Sequence, residues 1–256
     1  MNSDISSINK KSTSQTGSQA NSQANSQANS QANSQASSKV NSRENSRENS
    51  PVIPPVTFIV DDDRMARESL KWLAESANLT VQEFKCGEEF MQQFNHNAPG
   101  CVVLDVRMPD INGMELFARL KESGASIPVI IVTGHADVAM AVRAMKAGAY
   151  DFVEKPYNDA LMLELIQSAI NCDRDKREYQ SKVDKIQRRI NRLTPRENEV
   201  MKFVLNSKQN KIIASELGIS IKTVELHRAN LMSKMNAASP TELVRLAMMA
   251  GVESVN

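Results

Sequence analysis

The fold is decided by residues 56–63, which read VTFIVDDD. Phe58, Ile59 and Val60 form a continuous apolar run that is followed at once by three aspartates. A strand in a parallel sheet has such a run, because helices cover it on both faces. We therefore predict a first strand at 56–60, with polar side chains at its carboxyl end.

Outward from this stretch, short apolar runs alternate with helical patterns. We predict strands at 56–60, 80–84, 101–104, 127–132 and 150–153. We predict helices at 65–78, 87–94, 113–123, 137–147 and from 158 onward. The alternation implies an α/β domain over 56–171, in which helices cover both faces of a five-stranded parallel sheet. Trp72, Met140 and Met145 have helical spacing and are expected in its core.

Chemistry in such a sheet lies at the carboxyl ends of the strands. The first strand is followed by Asp61, Asp62 and Asp63, and the third is followed by Asp105. Carboxylates that lie close together repel one another, and a hard divalent cation relieves the repulsion. We expect a Mg²⁺ site at this edge, because two carboxylates and a carbonyl suffice when water supplies the other ligands.

Four motifs follow the predicted strands in order along the chain. They are VDDD at 60–63, DVRMPDING at 105–113, TGH at 133–135 and KP at 155–156. Together they resemble the receiver domain of two-component response regulators, which implies a flavodoxin-like, doubly wound fold. The resemblance implies that Asp105 accepts a phosphoryl group from a sensor histidine kinase, and that the chain is a regulator and not an enzyme.

The resemblance also implies roles for the residues around Asp105. It implies Mg²⁺ ligands at Asp61, Asp62, Asp105 and the backbone carbonyl of Arg107. Thr133 would hydrogen-bond a phosphoryl oxygen, Lys155 would pair with the phosphoryl group, and Phe152 would be the aromatic switch residue. Asp63 is expected at the start of the first helix, where a carboxylate interacts favourably with the helix dipole.

Two other functions fit parts of this pattern. An aspartyl-phosphate phosphatase would need a second aspartate two residues after the nucleophile, where this chain has Arg107. An interaction protein with a degenerate receiver would lack part of the acidic set, Thr133 or Lys155, and all of these are present. Phosphorylation by acetyl phosphate in the presence of Mg²⁺ distinguishes an active receiver from a degenerate one.

The segment 172–192 contains neither proline nor glycine and is predicted to be a helical linker. Val183, Ile186, Ile190 and Leu193 follow the a/d spacing of a heptad, but only for about one heptad. A sustained coiled coil is therefore not expected, and a solvated helix is.

Residues 193–256 contain the signals of a helix-turn-helix. Residues 194–197, TPRE, start a helix with a capping residue, a proline and a glutamate. Two more helices, at 210–217 and 221–235, flank a turn in which Gly218 ends the first and Ser220 caps the second. Helical periodicity puts Val224, Leu231 and Met235 on the buried face of the second helix, opposite Lys222, Leu226, Ala229 and Ser233.

The motifs LTPRE at 193–197 and TVELHR at 223–228 resemble the DNA-binding domain of the LuxR/NarL/FixJ type, a four-helix module. The resemblance implies that Glu225, Leu226 and Ala229 read bases in the major groove. The remaining predicted DNA-binding residues, mainly phosphate contacts, are Lys222, Thr223, His227, Arg228, Asn230 and Lys234. The resemblance also implies that phosphorylation produces a homodimer. This homodimer forms through residues 137–153 and binds a pseudo-palindromic site in double-stranded DNA.

Charge is distributed unevenly along a chain whose formal net charge is only +1. Residues 56–171 carry 17 acidic and 10 basic side chains, whereas residues 172–256 carry 16 basic and 10 acidic ones. A basic end indicates a nucleic-acid partner. Residues 193–256 alone carry 8 basic and 6 acidic side chains, so DNA binding depends on the placement of particular residues more than on bulk charge.

Residues 1–55 are predicted to be a disordered, low-complexity tail. Gln-Ala-Asn-Ser repeats from residue 19, and the segment offers too little apolar surface to offset its ordering entropy. Neither a secretory signal nor a membrane-spanning run is expected. Cys86, Cys101 and Cys172 are widely spaced and are expected to be thiols in a reducing compartment, which indicates a cytoplasmic protein.

Overall fold

The structure, a computed structural model, describes residues 53–252. Of the predicted tail at 1–55, residues 1–52 lie outside the described residues. The strands are β1 (Val56–Val60), β2 (Thr80–Phe84), β3 (Gly100–Asp105), β4 (Val129–Thr133) and β5 (Asp151–Glu154). The helices of the described part are α1 (Arg64–Ser76), α2 (Gly87–Gln93), α3 (Gly113–Glu122), α4 (Val138–Lys146), α5 (Asp159–Ile190), α6 (Pro195–Leu205), α7 (Asn210–Leu217), α8 (Ile221–Met235) and α9 (Pro240–Met249).

The five strands form one parallel sheet in the order β2-β1-β3-β4-β5. Side chains alternate along each strand between two apolar layers. Phe58 and Val60 pack with α2, α3 and α4 on one face, and Ile59 packs with α1 and α5 on the other. The predicted fold, a doubly wound α/β domain followed by a helical module, is confirmed.

Strand and helix bounds differ from the predicted ones where local chemistry intervenes. β4 starts at Val129 and not at residue 127, because Pro128 has no N–H to donate to the ladder. Ile127 is nevertheless buried. Asp63 caps α1 by accepting the Met65 N–H at 2.8 Å, as expected from its position.

The expectation that Trp72 lies in the core is wrong. Its side chain is 75% exposed, since Leu70 and Ala74 form the buried face of α1 and Trp72 points away from both. Met145 is also largely exposed, whereas Met140 packs against the core.

The predicted linker is part of a single helix, α5, which runs for 32 residues. Its first half buries Met162 and Ile166 against the sheet. Its last turns bury Ile186 and Ile190 in the core of the C-terminal module, which explains the short heptad-like spacing without a coiled coil. Between these two buried ends, residues 178–182 form a continuously exposed stretch. The proposed boundary between 171 and 172 falls inside α5 and remains a prediction.

The C-terminal module consists of α6 to α9 packed around a second core. Val224, Leu231 and Met235 are buried in it, as predicted. Gly218 ends α7 with a φ of +65°, a left-handed conformation that favours glycine. Ser220 then caps α8 by accepting the Thr223 N–H at 3.1 Å. None of the helices within residues 53–252 is long and apolar enough to cross a membrane.

Candidate functional site

Asp61 and Asp105 lie side by side at the carboxyl edge of the sheet, because β1 and β3 are neighbouring parallel strands. The ammonium of Lys155, which follows β5, bridges them. Its Nζ is 2.5 Å from Oδ2 of Asp61 and 2.8 Å from Oδ1 of Asp105. Three residues that are far apart in the sequence thus form one ion-paired cluster, as the strand-end rule predicts.

The cluster is largely withdrawn from solvent, since Asp61 is 7% and Asp105 is 6% exposed. Burial raises the pKa of Asp61, and the hydrogen bond from Lys155 offsets only part of that effect. Burial lowers the pKa of Lys155, but its hydrogen bonds to Asp105 and Asp61 outweigh burial, so the pKa is raised overall. The lysine therefore stays charged beside the two acids.

The remaining carboxylate oxygens are oriented by nearby backbone N–H groups. Oδ1 of Asp61 accepts the N–H of Asp63 at 2.9 Å, and Oδ2 of Asp105 accepts the N–H of Arg107 at 2.6 Å. The side chains of Asp62 and Arg107 are exposed at the mouth of the site. The structure thus brings Asp61, Asp105 and Lys155 into contact and leaves the side chain of Asp62 in solvent.

Thr133 and Phe152 lie on the neighbouring strands β4 and β5. Thr133 is buried, and its Oγ1 accepts the His135 N–H at 3.3 Å. Its carbonyl accepts the Lys155 N–H at 2.8 Å, which joins the loops after β4 and β5. Phe152 is partly buried and packs on the core layer that includes α4. Both positions agree with the roles expected of them.

Two supporting residues were not predicted from the sequence. Arg67 on α1 donates to the carbonyls of Asp61 and Asp62, at 2.7 and 3.0 Å, and holds the loop after β1. Asp110 accepts the Glu88 N–H at 3.0 Å and ties the loop after β3 to the start of α2. The position of Arg67 in the first turn of α1 is the one signal that could have identified it.

The residues at this edge fit the predicted Mg²⁺. Within residues 53–252, no three His, Cys, Asp or Glu side chains are grouped closely enough to hold a metal by themselves. Of the three predicted carboxylates, the structure brings Asp61 and Asp105 together and leaves Asp62 in solvent, and two carboxylates suffice when a carbonyl and water supply the other ligands. All of these are hard oxygen donors of the kind that Mg²⁺ prefers, with water completing its shell.

The second predicted site is the outer face of α8. Its exposed side chains are Lys222, Glu225, Leu226, Ala229 and Asn230. Thr223, His227 and Arg228 are partly buried. Arg228 donates to Oδ1 of Asn210 at 3.1 Å, so it also joins α8 to α7. Leu226 is 59% exposed on this face, and its contact with bases remains a prediction.

Lys234, predicted to contact phosphate, has a partner within the module. Its Nζ is 2.7 Å from Oε2 of Glu197, which is buried at the start of α6. Glu197 also accepts the Thr194 N–H in a capping box. Burial raises the pKa of Glu197, but the hydrogen bonds from Lys234 and Thr194 outweigh it, so the pKa is lowered overall. A phosphate contact by Lys234 remains a prediction.

The face predicted to dimerise, residues 137–153, has an apolar stripe on α4. Val138, Val142 and Met145 are spaced at one helical face and are 81%, 45% and 47% exposed. Exposed apolar side chains in a contiguous row are typical of protein interfaces.

Comparison with known proteins identifies the family of each domain. Residues 57–167 match the response regulator receiver domain, and residues 191–247 match the luxR family of bacterial regulatory proteins. The transcriptional regulatory protein FixJ of Azorhizobium caulinodans is 43% identical over 194 residues, which cover 76% of this chain and 92% of FixJ. The response regulator protein TodT of Pseudomonas putida is 41% identical over 191 residues, which cover 75% of this chain and 84% of TodT.

A solved structure extends this similarity to both domains. The response regulator StyR matches with a TM-score of 0.71 and 38% identity, over 76% of this chain and 98% of StyR. The chain therefore belongs to the FixJ-like response regulators, in which a receiver domain is followed by a LuxR-family DNA-binding domain.

Proposed function

We propose that Asp105 is the phosphoacceptor of this response regulator and that its phosphorylation increases DNA binding through α8. The contact that carries the proposal is the one between Lys155 and the carboxylates of Asp61 and Asp105. It gathers an acceptor, a second acid and a fixed positive charge at the edge where receiver chemistry is expected.

The proposed reaction is a transfer from the phosphohistidine of a sensor histidine kinase. An oxygen of Asp105 attacks phosphorus, the P–O bond forms, the P–N bond breaks, and the histidine leaves. Lys155 neutralises charge on the phosphoryl oxygens, and Thr133 donates its hydroxyl to one of them. Mg²⁺ held by Asp61, Asp62, Asp105 and the carbonyl of Arg107 would supply further neutralisation when it is bound.

The new group adds a charge of about −1.5 to −2 beside Thr133 and Lys155. Movement of these residues toward it would vacate space for the ring of Phe152, which packs next to α4. We propose that this repacking favours a dimer through residues 137–153, in which Val138, Val142 and Met145 become buried. Phosphorylation shifts the equilibrium only as far as the phosphoryl group prefers the dimer-forming arrangement.

A twofold dimer would present two α8 helices to a pseudo-palindromic site. Glu225, Leu226 and Ala229 are then positioned to contact bases, and Lys222 to contact phosphate. Such a protein acts as a transcription regulator in the cytoplasm, where it meets both the kinase and the DNA.

The test is phosphorylation of the full chain by acetyl phosphate and Mg²⁺, followed by intact mass measurement. Asp159→Asn is a matched control, because Asp159 is an exposed aspartate in the first turn of α5. Wild type and Asp159→Asn are expected to gain one phosphoryl group, and Asp105→Asn none. Undiminished labelling of Asp105→Asn would contradict the site. An unlabelled wild type would favour a degenerate receiver.

A further inference from the structure

A buried ion pair fastens the middle of α5 to the sheet domain. Asp173 is only 1% exposed, and its Oδ2 accepts both the Gly100 N–H at 2.9 Å and Nε of Arg177 at 2.6 Å. The same guanidinium donates to the carbonyls of Asn97 at 3.1 Å and Ala98 at 2.8 Å. Asp173 and Arg177 thus connect one helix turn to the loop that enters β3.

The loop that receives this pair is itself held firmly. Gly100 has a φ of +141°, and a Cβ there would lie 1.9 Å from the carbonyl oxygen of Val56. Only glycine fits this conformation and this spacing. The direction of the Gly100 N–H is therefore fixed by the backbone of β1 and β3, and the position of Asp173 on the sheet follows from it.

The ion pair between Asp173 and Arg177 fixes the position of α5 on the sheet more clearly than it stabilises the fold. Oδ1 of Asp173 is buried without a hydrogen-bond partner among the described residues, so burial of this carboxylate is only partly compensated. Buried ion pairs are weak sources of stability, and fixing one arrangement among several is their better supported role. Here the arrangement is the axial and rotational position of α5 on the sheet.

Beyond Arg177, α5 has an exposed stretch before it reaches the second core. Residues 178–182 are exposed, and Ile186 is the first fully buried side chain of the C-terminal module on α5. Ile186 lies nine positions after Arg177, which is about 13 Å along the helix. Arg189 then donates to the carbonyl of Met235 at 3.2 Å, at the end of α8. One helix thus contacts both domains, and the exposed residues 178–182 lie between the two sets of contacts.

The first anchor and the phosphoacceptor lie on the same strand. β3 begins at Gly100 and ends at Asp105, which places the two about 16 Å apart on a fully buried strand. β3 therefore connects Asp105 to the contact with Asp173, and α5 connects Asp173 to the contact between Arg189 and the Met235 carbonyl.

We propose that Asp173 and Arg177 are positioning residues that make the first half of α5 a rigid part of the receiver domain. Flexing between the domains is then confined to the exposed residues 178–182. In the phosphorylated dimer this restraint keeps the two DNA-binding modules at a spacing that suits two half-sites. The coupling to DNA rests on the proposed function, whereas the anchoring of the helix does not.

The anchoring is tested by hydrogen exchange on full-length Arg177→Gln. The control is Arg174→Gln, because Arg174 is exposed on the same helix and pairs only with the adjacent Asp175, at 3.6 Å. Arg177→Gln is expected to speed amide exchange at 95–100 and 171–178 by about tenfold, with residues 101–105, β4, β5 and α6 to α9 unchanged. Equal protection in the two variants would overturn the proposal. Faster exchange throughout the receiver would also overturn it, since the pair would then be an ordinary stability contact.

The coupling is tested by DNA binding of the same variants before and after acetyl phosphate treatment. Arg177→Gln is expected to lower the phosphorylation-stimulated affinity for two half-sites about five- to tenfold, with labelling and single half-site affinity unchanged. In a Gln180→Pro background, where the helix is already broken, Arg177→Gln should have no further effect. Equal stimulation in Arg177→Gln and Arg174→Gln would contradict the coupling. An unstimulated wild type would instead contradict the proposed function, and hydrogen exchange would still decide the anchoring.

Discussion

The proposed phosphoacceptor edge and the proposed DNA-binding face of α8 both carry charged side chains, but they hold them in opposite ways. At the edge, Asp61 and Asp105 are buried and share the ammonium of Lys155. On α8, Lys222 and Glu225 project into solvent from a helix whose opposite face is buried. A site that performs chemistry on one group depends on fixed geometry, whereas a site that reads a long polymer depends on an accessible surface.

A third arrangement clarifies the contrast. Glu197 is a buried carboxylate like those at the edge, but it pairs with the exposed ammonium of Lys234 within the C-terminal module. The pKa of Glu197 is lowered, whereas that of Asp61 is raised. The folded protein therefore favours the ionised form of Glu197 and disfavours the ionised form of Asp61.

The largest effect is expected from added volume at the phosphoacceptor edge. A Cβ on Gly113 would lie 2.0 Å from the backbone oxygen of Asp105, so Gly113→Ala must displace the strand end. We expect a loss of about 1–3 kcal/mol in unfolding free energy, measured by urea denaturation. Labelling by acetyl phosphate should fall as well. Gly134→Ala is the control, because its Cβ would meet open space beside Thr133. Equal behaviour of the two variants would show that the edge tolerates movement.

On α8, changes should alter DNA binding and leave folding intact. Glu225→Ala is expected to relax base preference at one position by about 1–3 kcal/mol. Lys222→Ala should weaken all sequences alike and reduce the salt slope by about one. Binding titrations on a set of single-base variants at several salt concentrations measure both. A uniform loss for Glu225→Ala would remove it from the base-reading set.

The smallest effects on the unfolding free energy are expected when the buried carboxylates of Glu197 and Asp61 are replaced by amides. The two substitutions should change that free energy in opposite directions. A carboxylate with a lowered folded pKa stabilises the protein at neutral pH, and that contribution is lost as pH falls through the folded pKa. Glu197→Gln should therefore reduce the unfolding free energy by about 1 kcal/mol at pH 7, and by less in acid.

For Asp61 the sign reverses. A raised folded pKa means that the ionised form costs stability at neutral pH, and that the cost disappears as pH falls. Asp61→Asn should therefore leave the chain equally stable or more stable at pH 7, while impairing phosphorylation. Chemical denaturation of both variants at pH 7 and near pH 4 measures these differences. Equal destabilisation of Glu197→Gln and Asp61→Asn at pH 7 would contradict the proposed difference in the stability contributions of the two carboxylates.

The sequence predicts most reliably what is encoded locally. α7 and α8 have the bounds predicted from Gly218 and Ser220, because a glycine end and a serine cap act within a few residues. The edge was also predictable, since parallel strands bring their carboxyl ends together whatever lies between them.

Contacts between distant segments could not be predicted in this way. Lys234 pairs with Glu197 across 37 positions, and Arg177 reaches the Ala98 carbonyl across 79. The spacing of residues in the sequence does not specify which charged side chain will pair with a buried group from a distant segment. Trp72 was misplaced for a related reason, because helical spacing gives a face but not which face is buried.

The most direct measurement is the affinity of the full chain for its DNA site with and without acetyl phosphate and Mg²⁺, in wild type and Asp105→Asn. The expected result is an increase in affinity of about 5- to 150-fold for wild type and no increase for Asp105→Asn. Equal stimulation of both proteins would contradict the claim that phosphorylation of Asp105 controls α8.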